Sequence, residues 1–205
     1  MSPVPAALPP GSDLVRVYRT LPARFVGWAM IAAGVVLGSM TLRDISVGHT
    51  ADLLHPVALV VAVGVAGWAL FLRPRVELYT EGLRVVNVVT DSVVPFGAIE
   101  DISTRWSLEL LDTEGGRTSA WAVPVRRDMV PRRRLDDFAE TTRHRGRGGV
   151  TAQGVSDDVY RTMQRWRLDG GERTGAPTRV VRSPSWFAVG ALMVAVILAL
   201  SALLS

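Results

Sequence analysis

Cysteine and lysine are both missing from the 205 residues, so all 23 basic side chains are Arg, set against 19 Asp and Glu. The first absence excludes disulfide frameworks, thiolate zinc sites, iron-sulfur ligation and cysteine nucleophiles. The second excludes Schiff-base chemistry on Lys and the phosphate-binding Lys of a P-loop. Histidine is scarce, at three residues. His49 and His55 lie near Asp44 and Asp52 and could hold a metal weakly, although a short polar loop is the commoner origin of such a group; His144 stands apart in an Arg-rich stretch. No GxSxG, GxGxxG or HExxH signature occurs, and no His lies in the segment where Ser107 or Ser119 would need a base. The expectation is a protein that is not an enzyme, with no catalytic residues, no cofactor and no metal.

What the chain has in excess is apolar residues, 48% against 20% charged, with a mean hydropathy of +0.25. Part of it is therefore written for a lipid solvent. Crossing the hydrocarbon core takes about 17 to 25 mostly apolar helical residues. Three windows suffice: Phe25 to Leu42 between Arg24 and Arg43, Leu53 to Leu72 ending at Arg73, and Trp186 to Leu204 with no charge at all. A signal peptide is disfavoured for the first, because its run is long and a second one follows at once. None of the three carries an interior Asp, Glu or Arg, which argues against transport.

Basic residues near span ends stay on the cytoplasmic side. Arg16, Arg19, Arg24, Arg73, Arg75, Arg173, Arg179 and Arg182 flank one side of the spans and Arg43 alone the other. This predicts a multi-pass cell-membrane protein with the N-terminus and residues 73–185 in the cytoplasm and the C-terminus outside. Small residues recur at helical spacing within the spans: Gly34 and Gly38 in the first, Ala58, Ala62 and Ala66 in the second, Ala191, Ala195 and Ala199 in the third. They read as helix-packing faces, and chance in Gly- and Ala-rich apolar sequence would produce the same stripes.

From Arg73 the pattern changes to two-residue alternation broken by turns. Arg75–Thr80, Leu83–Val89, Ser107–Asp112 and Arg117–Val123 read as strands, with Val93, Val94, Phe96, Ile99 and Ile102 between them. Glu81-Gly82, Thr90-Asp91 and Glu114-Gly115-Gly116 read as the turns. Trp106 and Trp121 read as packed cross-strand neighbours rather than an exposed surface. Beyond Val123, a stretch from Arg126 to Arg147 carries eight Arg and four acids and reads as a loop with a short helix. Ser156 then resembles a helix N-cap, and Val159, Met163 and Trp166 recur at helical spacing up to Leu168. The organisation expected is residues 1–24 as a partly disordered cytoplasmic segment, 25–72 a transmembrane hairpin, 73–125 a sheet, 126–155 the Arg-rich loop, 156–170 an amphipathic helix, 171–185 a polar linker and 186–204 a third span.

The run Arg73-Pro74-Arg75-Val76-Glu77, the Glu81-Gly82 turn with Leu83-Arg84-Val85, Val94-Pro95-Phe96 with Ile99-Glu100, Arg105-Trp106-Ser107-Leu108-Glu109-Leu110, and Ala120-Trp121-Ala122 carry a resemblance. They resemble the bacterial PH-like domain family, in which actinobacterial members commonly place two transmembrane helices before the domain. The resemblance covers about residues 73 to 125. It implies an all-β PH-like module, a bent antiparallel sheet with one C-terminal helix, added to three transmembrane helices. The long Arg-rich insertion and the third span depart from that pattern. Eukaryotic PH domains bind phosphoinositides through a basic loop joining the first two strands; here that loop reads as Glu81-Gly82, short and acidic.

Arg126, Arg127, Arg132, Arg133, Arg134, Arg143, Arg145 and Arg147 form the candidate basic interaction surface. Anionic inner-leaflet lipids or an acidic protein are the partners it would fit, and a solvated charged loop is the plainer alternative. The patch lacks interleaved aromatics, which argues against nucleic acid. The function expected is noncatalytic: a membrane protein displaying its module for protein or membrane-surface contacts. An accessory subunit held in a larger complex through its spans is the second expectation, and neither the protein partner nor the oligomeric state is specified.

Overall fold

The computed structural model describes residues 8–9, 12–47, 54–104, 107–124, 151–171 and 177–204. They form two compact units: residues 1–20, 75–85 and 92–181 in the first, residues 21–74, 86–91 and 182–205 in the second.

The first unit is built on strands. β1 (Leu14–Tyr18) pairs antiparallel with β2 (Arg75–Tyr79), placing Tyr18 opposite Val76 and Val17 opposite Glu77. β3 (Gly82–Val86) and β4 (Thr90–Pro95) extend the sheet in the order β1-β2-β3-β4. A 3-10 turn at Phe96–Ala98 leads into a second sheet of β5 (Ile99–Ser103), β6 (Ser107–Asp112) and β7 (Arg117–Pro124). Its register sets Leu110 opposite Ile102 on one side and Thr118 on the other. Alternation does what it predicts: Val76, Leu78, Leu108 and Leu110 are buried on the inner faces. The β6–β7 turn is closed by the buried Asp112, whose carboxylate accepts from the Glu114 and Gly116 amides at 3.1 and 2.6 Å.

α3 (Ala152–Leu168) follows β7 and buries Val155, Val159, Met163 and Trp166 in the same core as both sheets. The Trp166 ring lies 5.9 Å from that of Phe96. Gly170 ends the helix at φ 83°, a left-handed position open to glycine, and Gly171 lies under the Trp166 ring where no side chain fits.

Several expectations change. Leu14–Tyr18, within the segment assigned to the N-terminus, is a strand whose partner lies beyond both apolar runs, a distance no local pattern reveals. Thr90 and Asp91 begin β4, and the chain turns at residues 87–89 instead, where Asn87 donates to the Thr90 carbonyl at 2.8 Å. Val88 and Val89 disguise that turn as strand. α3 starts earlier than Ser156: Thr151, with extended backbone, accepts from the Gly154 amide at 3.2 Å as the true cap, and Ser156 is buried inside the helix. Gly154, a poor helix former, obscures that start. Trp121, expected to be packed, is 70% exposed. The stretch assigned as a linker contains β8 (Val181–Pro184).

In the second unit, α1 (Leu21–Ser46) and α2 (Leu54–Gly67) form an antiparallel hairpin, and α4 (Trp186–Leu204) packs on α2 as well. α2 continues as a π-helical turn over Trp68–Leu72, closed by the Arg73 amide on the Trp68 carbonyl at 2.9 Å. Two helical segments, Leu21–Ser46 and His55–Leu72, are long and apolar enough to cross a membrane. The rings of Trp68 and Phe187 meet in a T-shaped contact at 5.7 Å and 84°, joining the end of the second apolar helix to the start of α4.

Candidate functional site

In the helical unit, Gly27, Gly34 and Thr41, seven apart, are the buried positions of α1. A methyl group added at Gly34 would lie 3.7 Å from the Val60 carbonyl oxygen, and one at Gly38 would lie 3.8 Å from Val60 Cγ1, both ordinary contacts. The tight crossing is elsewhere. At Gly27 the added carbon would approach Leu72 to 2.8 Å, and at Gly67 it would approach Met30 to 2.9 Å and the Gly27 carbonyl to 3.3 Å. Sequence reasoning missed both glycines, because neither belongs to the i, i+4 stripes of small residues singled out there.

From that crossing α1 and α2 diverge around an open apolar groove of about 580 Å³, lined by Gly34, Gly38, Thr41, Val57, Val60 and Gly64 among others. Its hydroxyls are turned back on α1 itself: Ser39 donates to the Val36 carbonyl at 2.7 Å and Thr41 to the Leu37 carbonyl at 3.0 Å. Of the alanines, Ala58, Ala62 and Ala195 are buried, while Ala66, Ala191 and Ala199 are half-buried.

At the other end of the same unit Arg73, 8% exposed, donates to Asp91 at 2.6 Å and to the Val88 carbonyl at 3.0 Å. Ser185 N–H reaches the Val89 carbonyl at 2.9 Å, and Ser183 the Asp91 carbonyl at 3.3 Å. The β3–β4 tip is thus fastened by an ion pair and by the strand that precedes α4. Arg73 read from the sequence as a boundary charge; its carboxylate partner, 18 positions on, carried no signal.

Two further charged clusters belong to the strand unit. Asp158 of α3 accepts from Tyr18 Oη at 2.8 Å and from Arg16 Nη1 at 2.7 Å, with Arg161 Nη1 at 3.8 Å. The Asp158 hydrogen bond holds the Arg16 guanidinium above its ordinary pKa. Burial first, then Asp158, pushes the Tyr18 phenol well above its own. On β2 and β3, Glu77 accepts from Arg75 Nε at 2.6 Å and from Tyr79 Oη at 3.1 Å, with Arg84 Nη1 at 3.7 Å. Burial, followed by the Glu77 charge, raises the Tyr79 pKa.

The candidate basic surface, Arg126, Arg127, Arg132, Arg133, Arg134, Arg143, Arg145 and Arg147, lies outside the described residues, as do His49, His144 and Trp106. Among the described residues, no three His, Asp or Glu side chains cluster as a metal site would require. The loop between the first two strands is not Glu81-Gly82, which joins β2 to β3. With β1 counted, residues 19–74 occupy that place, and they include both apolar helices of the hairpin.

Comparison with protein-family models, with curated proteins and with solved structures found no significant match to this chain.

Proposed function

We propose that this chain is a noncatalytic integral membrane protein whose strand unit is a PH-like module displayed in the cytoplasm for protein or membrane-surface contacts. One observation carries the reading: the chain leaves β1, runs through α1 and α2, and returns into β2, the hydrogen-bonded neighbour of β1. Arg19-Thr20 connects β1 to α1, and Arg73-Pro74 connects the end of the second apolar helix to β2. A module threaded in this way is tethered to the helices at both ends of the hairpin, which supports a membrane-anchored reading. Strands in two sheets and a helix sharing their core are compatible with the bent antiparallel sheet and C-terminal helix that the resemblance implies. In this reading the helices stand where a PH lipid loop would be, which directs function away from that loop. α4, with 19 uncharged residues, supplies the third crossing.

The Arg bias puts residues 73–185 inside, and the lack of native Cys makes this easy to test. Cysteine at Ser46 should react with an impermeant maleimide in intact cells, while cysteine at Glu114 should react only after permeabilisation. Labelling of position 114 in intact cells, or release of the protein from membranes by alkaline carbonate, overturns the reading. The accessory-subunit reading draws on the open groove between α1 and α2, a place for a foreign helix. A stoichiometric membrane partner retained in mild detergent, and lost when Gly38 is enlarged to Leu, would favour it.

A further inference from the structure

We propose that the tip of the β3–β4 hairpin, Val88 and Val89, inserts into the boundary between lipid headgroups and acyl chains as an apolar anchor. Residues 86–91 belong by their contacts to the helical unit, together with residues 21–74 and 182–205. Two hydrogen bonds give the direction: Ser183 Oγ donates to the Asp91 carbonyl at 3.3 Å, and Ser185 N–H to the Val89 carbonyl at 2.9 Å. As the chain advances two residues toward α4, its partner retreats two residues toward the turn, so the turn lies level with the entry to α4. Trp186, the next residue, opens 19 uncharged residues that extend about 28 Å, close to the ~30 Å of a hydrocarbon core. A helix of that length leaves Trp186 at the boundary, and Val89 is one hydrogen bond from the residue before it. On the other flank Arg73, directly after the second apolar helix, donates to the Val88 carbonyl at 3.0 Å.

The chemistry of the tip agrees with that level. Hairpin turns are ordinarily built from Gly, Asn, Asp, Pro or Ser. Here residues 87–89 are Asn-Val-Val, and Val89 is 40% exposed. Trp186 and Phe187 are 76% and 77% exposed, and tryptophan at the end of a span is the side chain a membrane interface favours. Asp91 is the only acid in residues 86–91 and 182–205, and its carboxylate is held by Arg73 at 2.6 Å, so no unpaired carboxylate opposes entry among the headgroups. A protein would have to be recruited to cover the valines, whereas lipid is already present at the level where a span begins. The inference rests on the membrane reading above and adds to it a contact made by apolar side chains rather than by Arg.

The test uses the full chain in phosphatidylcholine nanodiscs, with Thr90→Cys carrying an environment-sensitive dye so that both valines stay in place. A nitroxide on the lipid headgroups should quench this dye, and aqueous acrylamide should reach it about threefold less readily than it reaches the free dye–cysteine conjugate. Salt at about 1 M, where the Debye length is ~3 Å, should leave both readings unchanged. Val88→Ser combined with Val89→Ser should abolish the lipid quenching and raise acrylamide access roughly threefold, to that of the conjugate. Acrylamide access in the parent chain equal to that of the conjugate, loss of lipid quenching in salt, or lipid quenching that survives both serines overturns the proposal. If the doubly substituted chain fails to fold, Val89→Thr, which keeps the shape and adds a hydroxyl, should lower the lipid quenching, and an unchanged value overturns the proposal as well. A second dye, at Val36→Cys in α1, separates the two levels of inference: if it is shielded while position 90 is open, only the insertion of the tip falls. If position 36 is open to acrylamide, the membrane reading falls and takes the insertion with it.

Discussion

Arg73 has two roles that a linear reading separates poorly. In the sequence it marks the end of an apolar run, and in the fold its guanidinium is buried against Asp91 and a carbonyl of the β3–β4 tip. A buried pair is costly to break because the surviving charge keeps its desolvation penalty. Asp91→Ala should therefore lower stability by about 3 kcal/mol, read as a reduced midpoint in detergent-solubilised unfolding; an unchanged midpoint would show that the tip does not depend on the pair. Tyr18 makes a prediction with a pH sign. Burial, then Asp158, disfavours its phenolate, so the folded chain keeps that proton to higher pH than the unfolded chain does. The contribution is intact below about pH 10 and declines as pH rises further, because the unfolded state ionises first. Tyr18→Phe should lose about 1 kcal/mol at pH 8 with its hydrogen bond, yet show a shallower decline in melting temperature above pH 10 than the parent chain.

Among elements, the α1–α2 crossing distinguishes glycines that touch from glycines that only line a groove. Gly67→Ala would force a carbon against Met30 and the Gly27 carbonyl, and should destabilise the hairpin by about 1 to 3 kcal/mol. Gly34→Ala and Gly38→Ala should change it by no more than about 0.5 kcal/mol, since their new methyl groups meet Val60 at contact distance. Unfolding in bicelles compares the three variants directly. Gly34 and Gly38, singled out from the sequence, lie near Val60 of α2. The tighter contact of Gly27 and Gly67 was not legible, because it depends on which residues of the returning helix lie opposite. Likewise at α3, Thr151→Ala should cost about 1 kcal/mol in thermal unfolding as loss of the cap. Ser156 matched the N-cap composition, but the backbone one turn earlier was already helical.

At the scale of the whole molecule, the strand core draws on β1, on strands 75–124 and on α3, all within one unit. Replacing residues 19–74 by a short glycine-containing turn and ending the chain at Val181 should yield a module that stays dissolved without detergent and unfolds cooperatively. Aggregation, or a melt without a transition, would show that the core needs the helices. Apolar runs, a one-sided Arg count and two-residue alternation were determined by the sequence itself, because each reflects how single residues partition between solvents or faces. The pairing of β1 with β2 across two apolar helices and the hydrogen bond from Tyr18 to a carboxylate 140 positions away were decided by the tertiary structure. The same holds for the seat of Arg73: the free energy of each depends on two groups meeting, and the order of residues along a chain states who is present without stating who meets.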